Sequence, residues 1–425
     1  MSGAQGSRGP APLWPEMWGV FGRIGILSFG GPAEQIALMH RVLVDERKWL
    51  GEKEYLRALS FCMLLPGPEA MQLATYAGWR LRGIPGGLLA GGLFVLPGAV
   101  VILALAAAYA QLGGMPLVGA LFLGIKACVV VIVIEALLRV ARRALTGRLF
   151  WVLAVLSFAG IFVLGLPFPL IIASAALAGA LHVPLAAPPT TPPRLPAISS
   201  LLPTLATGLA IWALPLLMAR AAGSAFLFDL GLFFSKLAVV TFGGAYAVLA
   251  YMAQEIVQTY GWVRPPELMD ALGLAETTPG PLILVTEFVG YLAGHRLGGP
   301  VLGVLAAGMV LWVTFVPCFL WIFAFAPYVE WIATRPRLGA ALKGVTAAVV
   351  GVIANLALWF ALHVMFRSVA PDGPLAMPLP DAGSFDWRAA LIALASGALL
   401  MRRHWPLLGV LGLSALAGLA LSLVP

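Results

Sequence analysis

The chain has 425 residues, of which 61% are hydrophobic and 10% charged, and its mean hydropathy is +0.97. Soluble domains carry roughly 25% charged residues, so composition excludes an ordinary soluble domain and points to a polytopic helical membrane protein. The net charge of +8 does not mark a nucleic-acid partner, because Lys and Arg of membrane proteins collect in cytoplasmic loops.

Residues 1–16 are rich in Gly, Pro and Ser and lack an apolar core or a cleavage site. They read as a disordered cytoplasmic tail rather than a signal peptide. Residues 17–187 then form the first of two repeats. SFGGPAEQ at Ser28 and LPGPEA at Leu65 are answered by TFGGAYAV at Thr241 and TPGPLI at Thr278. Phe29 and Phe242, Trp49 and Trp262, Glu54 and Glu267, and Pro66 and Pro279 each lie 213 positions apart, as do Arg23 and Lys236. A repeat at one fixed offset is an internal duplication.

Uncharged runs at residues 88–125 and 149–187 are each long enough for two spans at roughly 20 residues per helix. A Pro-rich linker at 188–197 leads to one unmatched apolar helix at 198–219, and the second repeat occupies 220–425. After an even number of crossings, that single extra helix inverts the second repeat relative to the first. Reading the FGG and PGP segments as re-entrant hairpins gathers Arg41, Arg47, Lys48, Lys53 and Arg57 on the face that holds Arg80, Arg82, Arg139, Arg142, Arg143 and Arg148. That distribution fits the positive-inside bias better than full spans do. It gives nine crossing helices, four hairpins and a cytoplasmic N-terminus.

A Gly-Gly or Pro-Gly-Pro break inside a membrane frees backbone groups that lipid cannot satisfy, so such backbone belongs inside protein or beside a water-filled cavity. A helix restarting after the break points a partial positive charge into that cavity. Gly30, Gly31, Pro66 and Gly67 in the first half, and Gly243, Gly244 and Gly280 in the second, are therefore candidates for an anion site. Ser28, Gln72 and Tyr76, with Thr241 and Thr278, are the nearby candidate hydrogen-bond donors.

Four basic residues fall inside apolar segments: Arg23, Lys126, Lys236 and Lys343. A cation at a helix centre costs about 2.5–3.5 kcal/mol on insertion scales and marks a functional hypothesis. Snorkelling is the competing account for Arg23 and Lys343, whereas Lys126 stands deep in its segment. By sequence, Lys343 occupies the place in the second repeat that Lys126 holds in the first. Glu34, Glu69 and Glu276 flank the breaks as candidate proton-coupling groups or as structural partners of the cations. Cys62, Cys128 and Cys318 have no paired spacing, and His40, His182, His295, His363 and His404 are scattered, so no metal site, cofactor or catalytic constellation is expected.

FGG, Trp49, PGP and a lysine two segments later together resemble the chromate ion transporter family in its long two-domain form, over most of the chain. The family pattern falls on Phe29, Gly30, Gly31, Trp49, Pro66, Gly67, Pro68, Gln72 and Lys126. In the second half it falls on Phe242, Gly243, Gly244, Trp262, Pro279, Gly280, Pro281 and Lys343. The resemblance implies a bacterial inner-membrane transporter that exports chromate and confers resistance, not an enzyme. A sulfate or general oxyanion carrier and an anion channel are the alternatives. Partners are the oxyanion, the lipid bilayer and a coupling proton, with a homodimer as one packing that small-residue faces such as GGLLAGG permit. Pro32, Glu69 and Gln72 become Ala245, Leu282 and Val285, so the first half is expected to supply more of the polar contacts.

Overall fold

The computed structural model describes residues 12–183, 198–242, 245–329, 331, 335–370 and 379–423. In the first repeat the helices are α1 (Trp14–Leu27), α2 (Pro32–His40), α3 (Glu52–Cys62), α4 (Glu69–Leu112), α5 (Pro116–Ala144), α6 (Arg148–Phe162) and α7 (Phe168–His182). The connecting helix is α8 (Ile198–Ala221). The second repeat has α9 (Ala225–Val240), α10 (Ala245–Met252), α11 (Pro265–Thr277), α12 (Val285–Phe325), α13 (Pro336–Met365), α14 (Trp387–Gly397) and α15 (Leu407–Ser422). A two-residue antiparallel pair, Val369–Ala370 with Leu379–Pro380, is the only sheet among the described residues.

Proline at N1 starts many of these helices, where a missing N–H costs nothing; Pro32, Pro116, Pro265 and Pro336 all sit there. Both α2 and α10 run on into a wide π turn, Arg41–Glu46 and Ala253–Thr259, and a third π turn, Ala398–Arg402, follows α14.

The two longest helices are hairpins. In α4 the backbone leaves helical space at Arg82 and Gly83, the latter at φ +65°, and α12 does the same at Gly298 and Gly299. The arms close so tightly that a Cβ on Gly78 would fall 2.1 Å from the Gly86 carbonyl oxygen. Gly294 meets the Leu302 carbonyl in the same way. The arm 69–81 is about 20 Å long at 1.5 Å per residue and 84–112 about 43 Å. Only the second can cross a hydrocarbon core of about 30 Å.

The turn ends of the short arms meet the starts of neighbouring helices. Arg80 pairs with Glu54, while Arg82 donates to the Pro12 carbonyl at 2.7 Å and lies over the Trp14 ring. In the second repeat Arg296 pairs with Glu267 and donates to the Trp262 carbonyl at 3.1 Å. α1, α3 and the arm 69–81 therefore share one end, and their breaks lie at the other.

Equivalent long arms run in opposite directions: Gly87 lies under the Phe323 ring and Gly91 under Phe319, so 84–112 and 300–325 pack antiparallel. The terminal helix pairs are exchanged between repeats. Gly124 of α5 packs on the Ser414 carbonyl of α15, and Gly344 of α13 on the Ala175 carbonyl of α7. α14 and α15 thus cover α5, α6 and α7 cover α13, and the two halves are interlocked rather than side by side.

Polarity is distributed for lipid. Val100, Leu156, Val301 and Leu416 are exposed, whereas Gln35, Gln72, Asp270, Glu276 and Glu287 are buried. Five described helices are long and apolar enough to cross a membrane: α4, α5, α8, α12 (with the turns flanking it) and α13. The remaining four expected spans are shorter, with 15 residues in α6 and α7, 11 in α14 and 16 in α15. The expected all-α polytopic membrane fold is the observed one.

Candidate functional site

The breaks converge. Gly67 donates its N–H to the Thr241 carbonyl at 2.9 Å, and Gly280 donates to the Ser28 carbonyl at 2.8 Å. Each PGP thus closes on the residue before FGG of the other repeat. Gly67 has φ +117° and Gly280 φ +91°, a region in which only glycine is comfortable. Gln35 adds a donor: its Nε2 reaches the Gly280 carbonyl at 2.7 Å and the Ser28 carbonyl at 3.3 Å. Pro279 packs against Gly98 on the long arm of α4, and Gly67 against Cys318 on that of α12. Gly98 lies roughly 21 Å down the arm 84–112, near its middle, so the cluster is at mid-height.

Gly30 and Gly31, at φ +84° and +86°, start α2 as expected. The Glu34 carboxylate folds back over Gly30, where a Cβ would collide with Oε2. An internal anion thus sits beside this positive helix end. Gly243 and Gly244 lie outside the described residues.

The hydroxyls predicted as anion donors are engaged locally. Ser28 donates to the Ile24 carbonyl at 2.6 Å and Thr241 to the Leu237 carbonyl at 2.5 Å, ending α1 and α9 identically. Thr278 donates to Ala275 at 3.0 Å. Such back-bonds satisfy helix-end carbonyls. Gln72 donates to the Pro66 carbonyl at 2.7 Å, beside the Cys318 thiol. Tyr76 is buried between the rings of Phe61 and Trp79.

The acids form two groups. Glu276 is buried and accepts from Tyr246 at 2.7 Å; Arg139, Glu135 and Glu34 lie within its electrostatic reach. Glu69 is half-buried, with Arg143 acting on it electrostatically. At the start of α11, beside the turn of α12, burial works against the ionised form of Glu267. Hydrogen bonds from Arg264 and Arg296 outweigh that and hold its carboxyl below the ordinary range.

The four predicted cations differ in burial and partner. Arg23, Lys236 and Lys343 are exposed on the surface of the chain. Lys126 turns inward and meets Asp270 of α11, Nζ to Oδ1 3.4 Å, while Tyr109 donates to Oδ2 at 2.7 Å. The pairing of Lys126 with Lys343 fails on packing register. The offset is 213 at the breaks and 216 where Gly78 and Gly294 meet their partner arms. It reaches 220 where Gly124 and Gly344 pack. Those added residues are close to one helical turn each. Thr346 therefore matches Lys126 in register, and Lys343 matches Leu123. Asp270 and Tyr109 escaped the sequence reading, although an aspartate within LMDALGLA is a visible intramembrane charge.

The family described as Chromate transporter matches residues 15–180 and 228–419. A chromate transport protein of Pseudomonas aeruginosa is 35% identical over 81% of this chain and 80% of its own length. A probable chromate transport protein of Synechococcus elongatus is 32% identical, covering 86% and 88%. A chromate transport protein of Cupriavidus metallidurans is 30% identical, covering 90% and 86%. No solved structure matches the chain.

Proposed function

The chain belongs to the chromate transporter family, and from that premise we propose that it exports chromate across the bacterial inner membrane by alternating access, conferring chromate resistance. The reciprocal bonds Gly67–Thr241 and Gly280–Ser28 carry this reading. Two oppositely directed halves meet through broken helices at mid-height, the arrangement in which secondary transporters rock one repeat against the other around a central site. The FGG and PGP hairpins are re-entrant on this reading, and the basic cluster between Arg41 and Arg57 puts the N-terminus in the cytoplasm.

The substrate oxyanion enters where positive helix ends and Lys126 are within reach, after the break hydrogen bonds open and the hydroxyls of Ser28, Thr241 and Thr278 rotate from their helix carbonyls. Glu34, Glu69 and Glu276 are the carboxylates available for proton coupling. Arg23, Lys236 and Lys343 attract the anion toward the site rather than hold it.

The test is uptake of labelled chromate into inside-out vesicles, wild type beside Lys126→Ala, with excess sulfate as competitor. Loss of a charged hydrogen bond of about 2 kcal/mol predicts roughly a thirtyfold fall in kcat/KM. Saturable uptake that sulfate barely inhibits supports the chromate exporter. Efficient sulfate competition makes it a general oxyanion carrier. Unsaturable flux makes it a channel.

A further inference from the structure

Asp270 is buried, and its two oxygens are held unequally. Oδ2 accepts the 2.7 Å bond from Tyr109, whose ring is fixed edge-on by Phe122 and Phe288. Oδ1 has only the 3.4 Å contact with Lys126, outside hydrogen-bond geometry. The carboxylate is therefore anchored on Tyr109 and leans on Lys126. The lysine keeps 20% of its side chain exposed and has three donors to offer.

A lysine left alone in a membrane interior is costly, so an empty carrier needs an anion of its own at that place. Tyr109 and Lys126 come from the first repeat. Asp270 comes from α11, which runs directly into the Thr278–Gly280 break of the second. Arg57 stands 213 positions before Asp270, so this device exists once, not twice.

We infer that Asp270 is an internal stand-in for the transported oxyanion: it holds Lys126 while the carrier is empty and yields it when the substrate binds, retained meanwhile by Tyr109. The inference rests on Lys126 being a substrate contact. It deepens that reading by making substrate arrival the event that unties the two repeats at this point. Tyr109 is a positioning residue, since it acts on the substrate only through Asp270.

The experiment is chromate uptake into inside-out vesicles with KM and kcat separated, normalised to inserted protein. Asp270→Asn removes the competitor; if Lys126 is free about a tenth of the time in the empty carrier, KM falls about tenfold. Tyr109→Phe leaves the displaced carboxylate without its anchor, so KM rises severalfold. Opposite shifts in KM support the inference. Unchanged KM in either variant, or a rise in both, overturns it, since a purely structural pair lowers inserted protein or kcat in both. If Asp270→Asn does not insert, Tyr109→Phe decides alone. The swap Lys126→Asp with Asp270→Lys is a second check: transport equal to wild type overturns the inference, and insertion without transport supports it. A normal KM in Lys126→Ala removes the premise instead, and absent chromate uptake by wild type removes the function, so the three failures are distinguishable.

Discussion

Gly67 and Thr241 are joined by a 2.9 Å backbone hydrogen bond, although 174 positions separate them and they belong to different repeats. The bond from Gly280 to Ser28, at 2.8 Å, is its symmetry mate. Whatever opens one repeat at mid-height must break contacts with the other.

Gly67→Ala tests that joint. An L-residue at φ +117° is strained, by roughly 1–2 kcal/mol for a left-handed position, and its Cβ would fall 2.7 Å from Cys318 Sγ. At Gly31 the strain at φ +86° acts alone, with no atom within 4 Å. Melting temperature in detergent is expected to fall further for Gly67→Ala than for Gly31→Ala. Adding Cys318→Ala should recover part of the difference, and no recovery would refute the assigned clash.

Gln35→Leu removes the amide that bridges Ser28 and Gly280. Leaving the buried Gly280 carbonyl without that donor costs about 1–3 kcal/mol. Thermal unfolding should show the loss, while Val248, which occupies the matching place 213 positions on, should accept Leu with little effect. Equal effects at the two sites would contradict the asymmetry described.

Lys343→Gln is expected to change chromate KM less than about twofold, whereas Lys126→Gln should raise KM or abolish uptake, because only the latter loses a charged contact at the site. A large KM effect at Lys343 would restore the sequence pairing of the two lysines over the packing register.

The pairs beside the two turns, Arg80–Glu54 and Arg296–Glu267, should separate with pH and with substitution. Glu267 keeps 5% of its side chain exposed and Glu54 32%, so Glu267→Gln should destabilise more than Glu54→Gln, whose half-exposed pair is worth about 1 kcal/mol or less. The folded Glu267 carboxyl lies below its ordinary range. Its contribution is therefore present above the unfolded value and disappears as pH falls through the folded one. Melting curves from neutral pH down to acid should lose this increment in wild type and not in Glu267→Gln.

The all-α membrane class was legible, because apolar composition and long uncharged runs are read directly from the chain. The direction of the cations was not. Residues added in the second repeat between the break and Lys343 shift the packing register by about two helical turns in all, and a lysine's exposure depends on which neighbour covers that face. Nor could Asp270 be assigned to Lys126 from linear distance, since 144 positions and a change of repeat lie between them. Local hydroxyl back-bonds such as Ser28 to Ile24 were equally invisible, since a serine near a break serves helix end and ligand alike.

The exchanged terminal helices have a consequence for biogenesis. α5 ends at Ala144 and its cover α14 begins at Trp387. At a synthesis rate of about 5–20 residues per second, the groove on α5 stays uncovered for roughly ten to fifty seconds. During that interval Ser414 has not been made, and Gly124, whose Cα must lie against its carbonyl, faces acyl chains instead. Lipid is thus the first occupant of that seam, and completion of the fold is an act of expelling it.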